Sequence, residues 1–307
     1  MPRYFSSSRN TSDEIWPDSL QVFAKCAWTR EGRVCDFDRK RVLERTERTD
    51  FRNRDDDMHE KLIPSNIRLR VIPDVHGESD YLDALIDEAR SDKRFVIQLG
   101  DLVDRGPCSA RALAHMLDVV DAGCGVMLRA NHEYKIVRKL KGREVTLNPM
   151  QEQTLREIDA SAGLANRFIE AWETAPLYAR WNNWLFVHGS WHPSMTAVMP
   201  PSKRTARSME FRAMYGQTTG RRSPEGHPER VWEWVEELPP DLKVIVGHDS
   251  RSSELVLCRT GARGGAVYLL DLGCGKGGPL AYCDLDSDDS VRFSHPVALW
   301  PTKDEGL

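Results

Sequence analysis

The sequence predicts an α/β fold beginning near Asn66, and three observations carry that prediction. Short apolar runs alternate with segments of helical apolar spacing, the pattern of parallel strands joined by crossover helices. Small motifs of Asp, His, Asn and Gly follow those runs, at the carboxyl ends of strands where open α/β sheets bind ligands. Residues 1–65 lack the alternation, so they are set apart as a charge-mixed N-terminal extension, with 66–300 as the domain that carries the motifs.

Taken in order, Val22 to Phe37 has alternating apolar positions around Arg30-Glu31-Gly32, enough for a short hairpin at most. Positions 36–57 mix charges of both signs and read as a solvated helix or linker. Ile67 to Pro73 reads as a strand, Tyr81 to Arg90 as a helix, Phe95 to Leu99 as a buried strand, Ala110 to Val120 as a helix, and Val126 to Leu128 as a third strand. Residues 133 to about 175 read as helical, with Leu140, Leu147, Leu155, Ile158, Leu164 and Phe168 on apolar faces. Strands return at Trp184–Val187 and Val244–Val246, with shorter ones at Glu254–Cys258, Ala266–Leu270, Leu280–Cys283 and Val291–Phe293. The stretch 194–226, rich in Ser, Arg, Gly and Pro, reads as a long surface excursion of the kind that covers a site or selects substrate.

Composition narrows the class. With 43 Lys+Arg against 47 Asp+Glu, a net charge of −4 gives no bulk attraction to nucleic acid or anionic membrane. Apolar stretches are of strand length, far short of the roughly 20 residues that cross a bilayer. The opening Met-Pro-Arg-Tyr-Phe-Ser-Ser-Ser has no apolar signal core. Seven cysteines, an odd count without a CxxC pair, point to reduced thiols, and Cys26 and Cys35 lack the second pair a zinc site would need. A cytoplasmic location is expected.

The chemistry lies in five motifs. Asp74-Val-His-Gly77 ends a strand, and alternate strand residues share a face, so Asp74 and His76 could clasp one ion. Alone, the pair is a weak signal, and its default reading is a hydrogen-bonded carboxylate and a satisfied histidine. Gly100-Asp-Leu-Val-Asp-Arg-Gly106 is more specific, because it crowds charges directly after a buried strand, where they are costly unless paired or metal-bound. Asp101 is placed to bridge two metals, Arg105 to clamp a phosphate with its planar fork, and Asp104 to orient a neighbour. Asn131-His132-Glu133 adds an amide oxygen ligand and a proton donor, and His188 and His248 each end an apolar strand. Oxygen and nitrogen donors in this mixture suit two adjacent divalent ions and a residual acid, a set fitted to in-line attack on phosphorus.

These motifs resemble those of the calcineurin-like metallophosphoesterases, in the phosphoprotein-phosphatase branch that carries GDxxDRG followed by a GNHE-type motif. Over residues 67–285 the chain is most similar to the phosphatase domain of bacterial polynucleotide kinase-phosphatases and their small stand-alone relatives, through NHEYKIVRKLKGR at 131–143, AMYGQTTG at 213–220 and LDLGCGKGGPL at 270–280. The resemblance implies an α/β four-layer metallophosphoesterase fold, two mixed β-sheets packed centrally and flanked by α-helices. It implies that Asp74, His76 and Asp101 hold one metal, and that Asp101, Asn131, His188 and His248 hold the other. Mn2+ is expected first, with Fe, Zn or Ni also suited to the ligands. Arg105 would clamp phosphate together with Asn131, His132 oriented by Asp104 would be the general acid, and Asp271 would be an accessory acidic group. The chain departs from the pattern at Ala130, where the family has Gly, and at Pro73 before Asp74. No kinase P-loop of the form GxxxxGK[ST] occurs.

The expected reaction is hydrolysis of a phosphomonoester by a metal-bridging hydroxide. The substrate would be a phosphoprotein of Ser/Thr type, or a nucleotide or nucleic-acid end phosphate, nucleic acid being a partner only as such an end. Two alternatives stand beside it: a symmetrical dinucleoside tetraphosphate hydrolase, and a non-catalytic protein that binds phosphorylated ligands. The basic run Lys135, Arg138, Lys139, Lys141 and Arg143 would attract polyanions or form a solvated helix face. No membrane partner is expected.

Overall fold

The computed structural model describes residues 60–300 apart from 225 and 227. The hairpin read at Val22–Phe37, the charge-mixed segment at 36–57 and Cys26 and Cys35 therefore lie outside the described residues. The five other cysteines are free thiols.

Two mixed sheets pack face to face. One has five strands in the order β13-β12-β2-β3-β4, built from β2 (Leu69–Ile72), β3 (Phe95–Gln98), β4 (Gly125–Met127), β12 (Cys283–Leu285) and β13 (Val291–Phe293). Its β2, β3 and β4 are parallel, and β12 and β13 extend it antiparallel. The other has seven, in the order β1-β5-β6-β9-β11-β10-β14. Its members are β1 (Glu60–Leu62), β5 (Tyr178–Trp181), β6 (Trp184–Val187), β9 (Lys243–Val246), β10 (Val256–Thr260), β11 (Ala266–Leu269) and β14 (Val297–Leu299). Here β6, β9 and β11 form the parallel centre.

The period of two in each strand divides the core. Leu69, Val71 and Ile97 face Ala179, Phe186 and Ile245 across the layer between the sheets. Their alternates Ile72, Val96, Leu185, Val187, Val244 and Val246 face outward to the helices. Among the described residues, six helices cover those outer faces: α1 (Ser79–Ser91), α2 (Ser109–Asp121), α3 (Asn131–Leu140), α4 (Pro149–Ala160), α5 (Leu164–Thr174) and α6 (Lys203–Tyr215). In α1, Leu82, Leu85, Ile86 and Ala89 give the buried stripe; in α5, Leu164, Phe168 and Trp172 do so.

The expected four-layer α/β architecture is what the chain adopts. The helical reading of 133–175 resolves into three helices, because Gly142 and Gly163 take left-handed φ of 74° and 75° and Asn148-Pro149 starts a new helix with a reciprocal cap to Gln151. Leu147 falls in the connection between them. The 194–226 stretch is less irregular than its composition suggests. Ser202 caps α6, which buries Met209, Ala213 and Met214, and β7 (Thr218–Arg222) pairs with β8 (Pro228–Arg230) in a small hairpin. Sparse apolar spacing among arginines masked this helix. Four residues of β5 and three of β14 escaped notice because each is too short to show alternation.

One buried ion-pair cluster ties β12 to its neighbours β2 and β13 in the five-stranded sheet. Asp284 on β12 accepts from Arg70 on β2 at 2.8 and 2.9 Å and from Arg292 at 2.9 Å, with Arg94 at 3.5 Å. Arg70 also lies over the Tyr282 ring at 4.2 Å. Although burial acts the other way, these guanidinium bonds hold the Asp284 carboxyl below its ordinary pKa. Its stabilising contribution is therefore complete above its unfolded value and is lost as pH falls through the lower folded one. Asp284→Asn, which leaves Arg70 and Arg94 only their more exposed partners Glu88 and Asp286, is expected to cost about 3 kcal/mol in urea unfolding at pH 7, the low end for breaking a buried pair. The gap to wild type should narrow below about pH 4. A gap that stays constant down to acid would show that the pair does not act through its charge.

Candidate metal centre

Every sequence-predicted site residue lies just past a strand, and the parallel strands of both sheets end at the same edge. Asp74 and His76 follow β2, Asp101 to Arg105 follow β3, and Asn131 to Glu133 open α3 after β4. His188 follows β6, His248 follows β9 and Asp271 follows β11. The structure brings all ten of these predicted residues to that one edge.

The backbone there is strained. His76, Asp101, Asp104, Arg105 and His248 take φ of 50°, 50°, 72°, 73° and 69°, the left-handed region that non-glycine residues rarely enter. Cross-loop bonds hold them in it. The amides of Val75 and His76 both donate to the Asp101 carbonyl at 3.0 and 2.9 Å, and Gly106 donates to the His76 carbonyl at 2.7 Å. Gly106 must be glycine, since a Cβ would lie 2.3 Å from that same oxygen. The departure at Ala130 is accommodated by Gly100, whose missing Cβ would stand 2.3 Å from the Ala130 methyl.

Glu133 fastens the second loop from below. Fully buried, its carboxylate accepts the amides of Asp101, Leu102 and Val103 at 3.0, 2.7 and 3.2 Å. Burial and the nearby Asp101 charge push its pKa up to about 7 against the pull of those donors. The sequence reading treated Glu133 only as the neighbour of His132.

Asp101 stands at the centre. Its Oδ2 lies 3.5 Å from His188 Nε2, 3.8 Å from His132 Nε2, and 3.9 Å from both His76 Nε2 and His248 Nδ1. Its Oδ1 accepts the His132 amide at 3.1 Å, so the N-terminus of α3 points at this carboxylate. His188 Nε2 is 3.1 Å from Asn131 Oδ1 and 2.9 Å from His248 Nδ1. Asp74 Oδ2 is 3.7 Å from His76 Nε2, while its Oδ1 accepts the His248 amide at 2.9 Å. Two clusters of three, His76/Asp101/His132 and Asp101/His188/His248, each bring their ligand atoms within 4.8 Å, and they share Asp101.

This donor set fits divalent cations. Burial lowers the pKa of His76 to about 3 and that of His188 well below the usual value, and it also lowers His248, so all three rings are neutral with lone pairs to offer. The His188 and His248 nitrogens that face each other can share at most one proton, and the buried His188 Nδ1 has no hydrogen-bond partner. Val103 O, 3.0 Å from His76 Nδ1, takes its proton and leaves Nε2 as the acceptor, the outer bond that orients metal-binding imidazoles. Burial together with Asp271 and Asp101 pushes Asp74 well up, a penalty that a cation would remove. Asp101 itself is held well below the ordinary range, because His132, His188, His248 and His76 outweigh its burial.

A second set of bonds surrounds His132. Asp104 Oδ2 takes its Nδ1 proton at 2.5 Å, and Thr154 on α4 donates to the other oxygen of Asp104 at 2.7 Å. Burial would lower the His132 pKa, but Asp101 and the Asp104 bond prevail and raise it. Arg105 donates to His76 Nε2 at 2.7 Å, so its guanidinium sits against the same nitrogen that faces the carboxylates. Asp271 accepts the Gly273 amide at 2.8 Å, and burial raises it to about 6.

Thr154 and Arg230 were not found by sequence reasoning. Thr154 looks like any helix residue, and Arg230 is one of many arginines. The latter donates to the Tyr215 carbonyl at 2.9 Å, and its half-buried guanidinium feels the charges of Asp249, Asp74 and Asp101.

Comparison with known proteins agrees with this geometry. Residues 67–272 match the family model described as calcineurin-like phosphoesterase. The chain is 30% identical over 193 residues to an asymmetrical bis(5'-nucleosyl)-tetraphosphatase PrpE from Bacillus subtilis, covering 58% of this chain and 77% of that protein. It is 26% identical over 212 residues to the protein of the same name from Geobacillus sp., covering 67% of this chain and 81% of the relative. A solved structure provisionally named a diadenosine tetraphosphatase superposes with a TM-score of 0.52 at 17% identity, over 78% of this chain and 98% of that one, a likeness of fold.

Glu133→Gln replaces one acceptor oxygen by an amide that opposes the backbone donors. Equilibrium dialysis with Mn2+ should show about 10–100-fold weaker metal binding, the range for lost outer-shell partners. Unaltered metal affinity would mean that Glu133 does not position the Asp101 loop.

Proposed function

This chain belongs to the calcineurin-like phosphoesterase family of metal-dependent phosphoric ester hydrolases, and we propose that it hydrolyses nucleoside polyphosphates at the site centred on Asp101. The observation that carries the reading is the convergence of four imidazole nitrogens on one buried carboxylate oxygen, with the His132–Asp104 pair beside it. In this reading Asp74, His76, Asp101, Asn131, His188 and His248 hold two divalent ions, Mn2+ by preference. Bound ions supply Lewis acidity, polarising the phosphoryl group and making water acidic enough to attack near neutral pH.

The chain's own residues do the rest. Arg105, freed from His76, presents its planar fork to the non-bridging oxygens with Asn131 alongside. His132 gives its Nε2 proton to the leaving oxygen as the P–O bond breaks. Because Asp104 holds Nδ1–H, the proton to be transferred is on the nitrogen that faces Asp101. The neighbouring Asp101 charge and the Asp104 bond, which raise the His132 pKa against its burial, favour the protonated ring that this role needs. Thr154 fixes Asp104 in turn.

Substrate choice rests on the relatives, which carry the name asymmetrical bis(5'-nucleosyl)-tetraphosphatase. Their names favour a nucleotide over a phosphoprotein, and asymmetric over symmetric cleavage. The α3 basic run is compatible with either class, as Arg138 and Lys139 are exposed and Lys141 pairs with Glu173. No helix among the described residues is long and apolar enough to cross a membrane.

Two experiments test the reading. EDTA should abolish hydrolysis of p-nitrophenyl phosphate and Mn2+ should restore it, with two ions per chain by elemental analysis. His132→Ala should lower kcat by about 10²–10⁴-fold with that content unchanged, and wild-type turnover in the variant would end the acid assignment. Offered diadenosine tetraphosphate, a phosphopeptide and an end-phosphorylated oligonucleotide side by side, the enzyme should prefer the first and release ATP and AMP. Two ADP would reverse the cleavage mode, and preference for the phosphopeptide would reject the substrate class.

A further inference from the structure

We propose that the groove between the turns at 248–253 and 272–278 is a second anion subsite, which takes a phosphate of the substrate other than the one attacked. The inference rests on the polyphosphate reading above and deepens it. The groove encloses about 270 Å³ and is lined chiefly by Ser250, Arg251, Ser252, Gly273, Lys276 and Gly278. Ser253 and Leu272 complete the lining, so it offers two cations and three hydroxyls and contains no carboxylate. That is the chemistry of a phosphate site.

Its parts are held in place. Lys276 Nζ donates to Ser250 Oγ at 3.0 Å across the groove, bringing the ammonium over the hydroxyl wall. Arg251 is fixed by Asp249 at 3.1 Å and lies over the Trp300 ring at 4.7 Å, yet its side chain remains 31% exposed. Of the neighbouring acids, Asp249 is paired with Arg251, which leaves Lys276 as the cation without a carboxylate partner in the groove, and Asp271 accepts the Gly273 amide. Gly273, Gly275 and Gly277 take left-handed φ of 84°, 74° and 92°, a conformation that glycine adopts without the strain a larger residue would carry.

Both turns are extensions of the metal centre. The first begins at His248, whose amide binds Asp74, and the second packs Gly275 so closely on His76 that a Cβ would lie 2.4 Å from that side chain. The two turns that wall the groove thus also touch Asp74 and His76, so a phosphate chain with one group at Asp101 has the groove as its neighbouring site. Phosphomonoesters have nothing to place there. The groove thus separates polyphosphates from simple monoesters.

The test uses the full chain loaded with Mn2+ and the variants Lys276→Gln and Lys276→Arg. For Lys276→Gln, kcat/KM on diadenosine tetraphosphate relative to p-nitrophenyl phosphate should fall about tenfold or more, as for loss of one charge-assisted contact. Inhibition of p-nitrophenyl phosphate hydrolysis by pyrophosphate, with Mn2+ in excess over the anion, should weaken to a similar degree while inhibition by orthophosphate does not. Lys276→Arg should retain most of both effects. An unchanged ratio, or equal losses on both substrates, overturns the subsite. Should wild type cleave the aryl phosphate but not the tetraphosphate, the substrate reading fails, and the pyrophosphate comparison still decides the subsite.

Discussion

The structure turns on a single buried carboxylate. Asp101 is withdrawn from water at the end of a fully buried strand, and four imidazoles face its outer oxygen, three of them (His76, His188 and His248) neutral. An ionised group in such a place is tolerated only when charge of the opposite sign or strong donors surround it. The N-terminus of α3 supplies part of that through the His132 amide, but Asp74, Asp271 and Glu133 add further buried acids within reach of the same field. Neutral rings beside several carboxylates leave a local deficit of positive charge. Divalent cations resolve that deficit, which makes metal affinity a consequence of how the loops are folded.

The same loops carry the local cost. Each left-handed non-glycine residue costs about 1–2 kcal/mol relative to a relaxed conformation, and five such residues stand at the site. Neutral backbone bonds return about 1 kcal/mol each, too little by themselves, whereas bonds to a charged acceptor are worth about 1.5–3 kcal/mol. Glu133 makes three of these to consecutive amides, which explains why an acid is buried beneath a loop that already carries negative charge. Glycine serves at Gly106 and Gly275 for another reason, namely that the site's own carbonyl and imidazole occupy the space a Cβ would take.

Much of this was legible in the residues. The parallel strands announced themselves through apolar runs followed by charge, since no solvated loop needs that adjacency, and the motif order identified Asp74, His76, Asp101, Asn131, His132, His188 and His248 together. What escaped notice depends on contacts distant in sequence. Thr154 acts 50 residues from Asp104, and its hydroxyl has no local pattern. Arg230 reaches the site from a three-residue strand in a hairpin that arginine-rich composition disguised. Helix α6 was read as an excursion because its buried Met209, Ala213 and Met214 are few and its flanks are polar, yet Gly189 next to His188 donates to the Ala213 carbonyl at the end of that helix.

The two sheets divide the chemistry between them. The five-stranded sheet delivers the carboxylates Asp74 and Asp101 and the dyad loops, whereas the seven-stranded sheet delivers His188 and His248. Neither sheet holds a complete ligand set. Their spacing is fixed by the apolar layer in which Leu69, Val71 and Ile97 meet Ala179, Phe186 and Ile245, a close-packed contact that does not deform continuously. The distances between nitrogen and oxygen donors at the edge are therefore set by side chains that never touch a metal. Electrostatics makes the site want cations, but the hydrophobic layer decides how far apart their ligands stand, and in that sense the core is part of the metal centre.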